Sequence, residues 1–261
     1  MNALPANEKS TAQTVTGLRW WNDRLLSFTT TKPENYSFAA GQYARLGLAD
    51  GDDTIWRAYS MTSAPGDAEL EFYGILVPNG LFTSRLKEIK PGAQIRVEKQ
   101  VYGFMTPDRF SDGEELWMLS TGTGIGPFIS MLRDPYVWGK FRRLILVHCV
   151  RHADEFSYHD ILHALRREPP VAGPAAQLTV IESTTRDPSP DPARLQGRIT
   201  ALLENGMLEQ KAGLPLTVEK SRVMLCGNPD MIEDTRHILH RRGMRPCRRV
   251  LPGQFVTENY W

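Results

Sequence analysis

The chain has 261 residues, enough for one large domain or two of ordinary size, each with its own core. Its 31 Lys and Arg against 30 Asp and Glu leave a formal charge of +1, so no global field recruits nucleic acid; 41% hydrophobic and 23% charged residues exclude a disordered chain. No apolar run reaches the roughly 18 residues of a membrane span, MNALPANEKS lacks a signal core, and Cys149, Cys226 and Cys247 are too dispersed for a disulfide framework or a zinc site. The expectation is a cytoplasmic, metal-free protein with reduced thiols.

Taken in chain order, the first hundred residues read as β structure. TVTGLRWWNDRLLSFTT, GQYARLGLA, TIWRAYSMTS, AELEFYGILV and AQIRVEKQVYG are rich in aromatic and β-branched residues and separated by turn signals. Six strands at this spacing fit an antiparallel barrel better than a sandwich. One helix interrupts them at GLFTSRLKEI, with Leu81, Leu86 and Ile89 on its apolar stripe and KPG as its stop. Past MTPDRFSDGEE the pattern changes. ELWMLS, RRLILVHCV, QLTVIEST and SRVMLCGN are nearly continuous apolar runs, as strands buried on both faces require. The helical segments GPFISMLRDP, YHDILHALRRE, RITALLENGML and DMIEDTRHILHRRG alternate with them, which defines a doubly wound parallel sheet. The expected domains are therefore 1–110, a six-stranded antiparallel barrel, and 111–261, an α/β domain.

Three segments carry candidate chemistry. In STGTGIGPF, Gly122, Gly124 and Gly126 lie between the first parallel strand and its helix, where bare backbone admits a phosphate to N–H groups. The spacing is not that of the G-x-G-x-x-G fingerprint, so a tight structural turn remains an alternative for the loop alone. In RAYS, Arg57 suits a pyrophosphate, Tyr59 a flat ring and Ser60 a ring nitrogen; a surface Arg beside a core Tyr is the competing reading. In LCGNPDM, Cys226 ends the last buried strand at the sheet edge where ligands bind, although a buried structural Cys is the default.

RAYS, GLFTSRL, STGTGIGPF, CGNPDM and the terminal TENYW, in this order, closely resemble the ferredoxin–NADP⁺ reductases, above all the bacterial branch that also uses flavodoxin. The resemblance spans about Val15 to Trp261. It implies a barrel that binds FAD through Arg57, Ala58, Tyr59 and Ser60, with Tyr59 stacked on the isoalloxazine and Ser60 near its N5. Thr83 and Ser84 would meet the flavin pyrophosphate, and both also read as helix-cap residues. Thr121, Gly122, Thr123 and Gly124 would accept the nicotinamide half of NADP, with Cys226 facing the hydride-transfer position. Arg151 and Arg198 match basic positions for the 2′-phosphate. The family has a further Arg directly after the third parallel strand, where Ser183 stands here; Arg186 would replace it. The last two residues, Tyr260 and Trp261, would form a tail over the flavin, their assignment to isoalloxazine or adenine left open, and Glu258 would supply or relay a proton.

The implied activity is hydride exchange with NADP(H) and single-electron exchange with ferredoxin or flavodoxin, by a monomer with no nucleic-acid or membrane partner. Alternatives are a flavin reductase component of an oxygenase system and a non-enzymatic flavin-binding sensor. The basic stretch RHILHRRGMRPCRR offers a docking face for an acidic carrier, or a helix end complementing its dipole. HDILH has the outline of a zinc helix, but with Asp160 where Glu belongs and no third ligand it reads as an exposed helix face.

Overall fold

The computed structural model describes residues 8–187, 191, 193–249 and 251–259. Six strands come first: β1 (Ser10–Trp20), β2 (Leu25–Thr31), β3 (Tyr43–Asp50), β4 (Asp53–Ser60), β5 (Glu69–Ile75) and β6 (Gln94–Glu98). They pair antiparallel in the order β4-β3-β6-β1-β2-β5. A bridge from Met61 to Phe72 joins the two outer strands and curls the sheet into a barrel. The first β stretch holds two strands, because the Asn22 side-chain oxygen accepts from the N–H groups of Arg24 and Leu25 and turns the chain. Val15, Leu26, Phe28, Leu46, Phe72 and Val97 fill the interior, and Phe82 and Leu86 of α1 (Leu81–Lys87) add to it.

Residues 99–114 lead to a second sheet of β7 (Glu115–Thr121), β8 (Arg143–Val150), β9 (Gln177–Thr184), β10 (Leu195–Gln196), β11 (Ser221–Gly227) and β12 (Phe255–Asn259). All pairs are parallel, in the order β10-β9-β8-β7-β11-β12. The apolar runs serve two cores by alternation. Leu116, Met118, Leu144 and Leu146 face α2 (Gly126–Arg133), α3 (Pro135–Lys140) and α4 (His159–Arg167). Trp117, Leu119, Ile145 and Val147 face α5 (Ile199–Glu204), α6 (Met207–Ala212) and α7 (Pro229–Arg241).

Several features were not expected from sequence. RITALLENGML is two helices, broken where Gly206 takes φ +76°. The strands β10 and β12 and the helix α3 are too short to show a period of their own. The segment before the terminal aromatic pair is a strand: β12 pairs with β11 from Phe255 to Asn259, with Phe255 and Val256 buried. Tyr260 and Trp261 lie outside the described residues.

The two units share a packed and bonded interface. Leu25, Ala40, Tyr73 and Met105 of the first join the core of the second. Tyr73 and Ser157 hydroxyls lie 2.7 Å apart, Ser130 donates to the Ser63 carbonyl, and Arg133 pairs with Glu71 at 2.5 Å and Asp67 at 2.8 Å. These contacts hold one wall of the barrel against the carboxyl edge of the parallel sheet.

Candidate active site between the barrel and the parallel sheet

β7 is the first parallel strand and lies between β8 and β11, so the chain leaves it to one side and later crosses to the other. Ligands bind at such switch points, outside the carboxyl ends of the strands. A cavity of about 640 Å³ opens there. The loop after β7 supplies Thr121, Gly122 and Thr123, and the turn after β11 supplies Gly227 and Asn228. Leu25, Ile75 and Val77 form the barrel wall.

The inner end of this cavity is made of backbone held from several sides. A Cβ on Gly124 would stand 2.4 Å from the Cys226 carbonyl oxygen, and one on Gly227 would stand 2.2 Å from Thr121 Oγ1. Gly227 also has φ +133°, outside the range of ordinary side chains. Only glycine lets these two strand ends approach. Thr121 Oγ1 accepts from the Asn228 N–H at 2.8 Å, and Asn228 Oδ1 caps α7 by accepting from the Met231 N–H. His148, buried in β8, donates from Nε2 to the Gly122 carbonyl at 3.0 Å. A carbonyl only accepts, so this contact places the proton of the neutral ring on Nε2. Burial pushes the imidazole down to about 4, and it is neutral at physiological pH. In a trans peptide the C=O and N–H point in opposite directions, so anchoring the Gly122 carbonyl turns the Thr123 N–H away from His148. Sequence reasoning missed His148; a single histidine within the apolar run LILVHCV was the available signal.

Arg151, Arg186 and Arg198 all reach the outer part of the same cavity. All three are exposed and none pairs with a carboxylate among the described residues. Glu155, Asp230 and Asp234 also line this cavity, yet none forms an ion pair with the three guanidinium groups, which around one opening suit a multiply charged anion. Ser183 is not placed after the strand: it sits within β9 between Cys149 and Leu195, fully buried. A residue there cannot reach the opening, whereas Arg186, three residues on, lines it.

The barrel candidates occupy a different face. On β4, Arg57 and Ala58 are exposed while Tyr59 and Ser60 are buried. Arg57 donates to the Trp56 carbonyl at 2.7 Å. Tyr59 packs against Phe82 at 5.4 Å and edge-on to Phe28 at 6.2 Å, and burial keeps its phenol protonated. Gly74 is needed beneath it, since a Cβ there would be 2.7 Å from the ring. Thr83 is buried at the start of α1; its hydroxyl accepts from the Val77 N–H and lies 3.0 Å from the Val77 carbonyl. Ser84 is exposed. Val77 (43%) and Leu81 (64%) leave apolar surface exposed before and at the start of α1, which packs on β4, the strand that carries Arg57. A strand and a helix start that offer a guanidinium and apolar surface fit a ligand with a flat body and an anionic linker.

The pairing of β12 with β11 sets Glu258 level with Cys226 and, through β11, Cys226 level with Ser120. Cys226 is fully buried, and burial with the nearby Glu258 raises its thiol far above the usual range. The residue next to it, Gly227, is the one that lines the cavity. Glu258 lies beside Gly103 and Tyr43 of the barrel side, and burial pushes its carboxyl up to about 7.

The basic stretch is thinner than its sequence suggests. Arg241 pairs with Glu204 at 2.5 Å and Arg242 with Glu209 at 3.1 Å, both turned toward α5 and α6. The exposed cations without a carboxylate among the described residues are Arg245, Arg248 and Arg249. In HDILH, His159 bonds Glu182 at 3.0 Å and Asp160 pairs with Arg19 of the barrel at 2.9 Å, while His163 is exposed.

A barrel carrying one amphipathic face, joined to a parallel sheet with a cationic cleft, is the arrangement of a two-domain flavin- and nicotinamide-dependent oxidoreductase. Residues 19–103 match the family model described as an oxidoreductase FAD-binding domain, and residues 118–237 the oxidoreductase NAD-binding domain. The chain belongs to the flavodoxin/ferredoxin–NADP reductase family. It is 40% identical over 248 residues to the flavodoxin/ferredoxin–NADP reductase of Escherichia coli K12, covering 95% of this chain and 97% of that protein. The Rhodobacter capsulatus protein of that name is 38% identical, with 97% and 94% covered. The crystal structure of a ferredoxin NADP⁺ reductase from Neisseria gonorrhoeae with bound FAD and NADP is 35% identical, covers 98% of this chain and all of that one, and superimposes with a TM-score of 0.90.

Proposed function

We propose that this protein is an FAD-containing reductase that exchanges hydride with NADP(H) and single electrons with ferredoxin or flavodoxin. The observation that carries the reading is the cleft. It joins a glycine-lined strand edge to three exposed arginines that form no ion pair among the described residues, and faces a barrel wall of the family's FAD-binding type. When bound, the flavin supplies the chemistry that links a two-electron donor to one-electron carriers.

The chain's own residues then have distinct tasks. In the barrel unit, proposed as 1–110, Arg57 and the start of α1 at Thr83 and Ser84 hold the flavin pyrophosphate, while Ala58, Tyr59 and Ser60 border its ring. In the second unit, proposed as 111–261, Thr121 to Gly124 present backbone to the nicotinamide half. Arg151, Arg186 and Arg198 bind the 2′-phosphate, which only NADP carries. Cys226 closes the cleft floor behind Gly227. Glu258, with a carboxyl near 7, is matched to giving or taking a proton at neutral pH. Tyr260 and Trp261 cover the flavin until the nicotinamide displaces them. Among the described residues no helix is long and apolar enough to cross a membrane, and we place the protein in the cytoplasm as a monomer.

The test is direct. The purified protein should carry one non-covalent FAD per chain, bleach rapidly with NADPH and slowly with NADH, and then reduce ferredoxin or flavodoxin. FMN in place of FAD, or equal rates with both nicotinamides, would overturn the assignment. Removing Tyr260 and Trp261 should tighten NADP⁺ binding about threefold to tenfold, the worth of one lost stacking competitor.

A further inference from the structure

We propose that His152 and Asp187 form a latch that spaces Arg151 and Arg186 for the 2′-phosphate, and so set the preference for NADPH without touching the nucleotide. The inference rests on reading the cavity as the NADP(H) site. The two arginines stand on separate turns, one after β8 and one after β9. Those strands are neighbours to their last residues, Val150 beside Thr184. Beyond them the sheet ends, yet the turns stay joined. The Thr185 N–H donates to the Val150 carbonyl at 3.0 Å and the Arg186 N–H to the Arg151 carbonyl at 2.9 Å. Asp187 then closes the pair: its carboxylate accepts from His152 Nδ1 at 2.7 Å and from the Ala153 N–H at 2.8 Å. Its own carbonyl accepts from Thr184 Oγ1 at 3.0 Å.

Neither His152 nor Asp187 lines the cavity, whereas Arg151 and Arg186 both do. Two consequences follow from the chemistry. An arginine side chain loses much rotamer freedom when it is fixed, so two of them converge on one phosphate only if their Cα positions are held at a fixed spacing. Asp187 is also the chain neighbour of Arg186, and a free carboxylate there would pair with the guanidinium and compete with the phosphate. Engaged by the Ala153 N–H and by His152, which together hold its carboxyl below the usual range, it is turned away from that role.

The experiment compares His152→Leu, which removes the donor, His152→Asn, which restores an N–H near the Nδ1 position, and Asp187→Ala, each in the flavin-loaded protein. Binding of 2′-phospho-AMP and of AMP is measured by calorimetry alongside steady-state rates with NADPH and NADH. The leucine and alanine variants should weaken 2′-phospho-AMP and raise KM for NADPH about fivefold to tenfold, with kcat, AMP binding and NADH rates unchanged. The asparagine variant should return to within about twofold of the parent. Equal losses with both nucleotides, or no loss with either, would overturn the latch while leaving the cofactor reading in place. A parent protein that binds 2′-phospho-AMP no more tightly than AMP would instead remove the reading on which the latch rests.

Discussion

The cleft at the parallel sheet and the flavin-binding face of the barrel are built on different principles. In the cleft the decisive parts are backbone: Gly124 against the Cys226 carbonyl, Gly227 against Thr121, and the Gly122 carbonyl held by His148. On the barrel the proposed contacts are side chains at the surface of a strand and a short helix, with Arg57 bonded, among the described residues, only to its neighbour's carbonyl. Backbone geometry is rigid and intolerant, because a single added methyl group meets main-chain atoms that cannot rotate away. Side-chain contacts are separable, and each can be weakened without collapse of the rest.

The largest effect should follow an attack on the backbone side. Gly124→Ala and Gly227→Ala each force main-chain displacement, and the second also adds strain at φ +133°, so stability should fall by about 2–5 kcal/mol. Thermal melts with NADP⁺ titrations would measure this; near-parental melting and affinity would contradict the rigid-cleft picture. The side-chain face should respond in a graded way. Arg57→Ala should release flavin on dilution and Arg198→Ala should raise KM for NADPH alone. Each loss is about 1.5–3 kcal/mol, the worth of a charged hydrogen bond. Flavin fluorescence and paired NADPH and NADH kinetics separate the two; equal losses with both nicotinamides would make Arg198 structural.

His148 tests the boundary between the two principles, as a side chain that holds backbone. His148→Leu leaves the Gly122 carbonyl without its partner and should cost about 1–3 kcal/mol, with His148→Gln recovering part of it. Its titration has a defined sign. With the folded value near 4 and the unfolded value near the usual 6.5, the unfolded chain binds the proton more readily. Stability is therefore full above about 6.5 and declines as pH falls toward 4. Glu258 acts oppositely: a carboxyl raised to about 7 favours folding when protonated, so its contribution declines as pH rises from the usual carboxylate range through 7. The acid-side decline should disappear in His148→Gln, and the neutral-side decline in Glu258→Gln, each followed by denaturant unfolding across pH.

The smallest effects lie on the surface. Carrier reduction should slow with added salt and with Arg248→Ala, while reduction of a neutral quinone should not. Arg241→Ala removes an exposed pair with Glu204, worth about 0.2–1 kcal/mol, and should leave carrier rates unchanged. A larger carrier defect from Arg241 than from Arg248 would reverse the division between paired and unpaired cations.

The sequence by itself determined the two architectures and the order of the site segments. Aromatic and β-branched stretches between turn signals mark the barrel strands, continuous apolar runs mark strands buried on both faces, and glycines mark where backbone must approach. These are local signals, readable over a few residues. They located RAYS, the loop at Gly122 and the turn at Gly227, and they placed Arg151 and Arg198 at strand and helix ends. Only the tertiary structure decided which of these meet. Arg186 rather than Ser183 reaches the cleft because β9 runs to Thr184, the end of the run QLTVIEST, and pairing with β8 and β10 encloses Ser183 within the sheet. Arg241 and Arg242 are spent on Glu204 and Glu209, carboxylates more than thirty residues away in the chain. Glu258 owes its raised carboxyl to burial on a five-residue strand that is set in place by pairing with β11 and by the bridge from Phe255 to Pro246. The contacts of His148 with Gly122, and of His152 with Asp187, join residues 26 and 35 positions apart. Hydrogen bonds and desolvation depend on distance in space, and that distance exists only once the sheet order has brought the strand ends together.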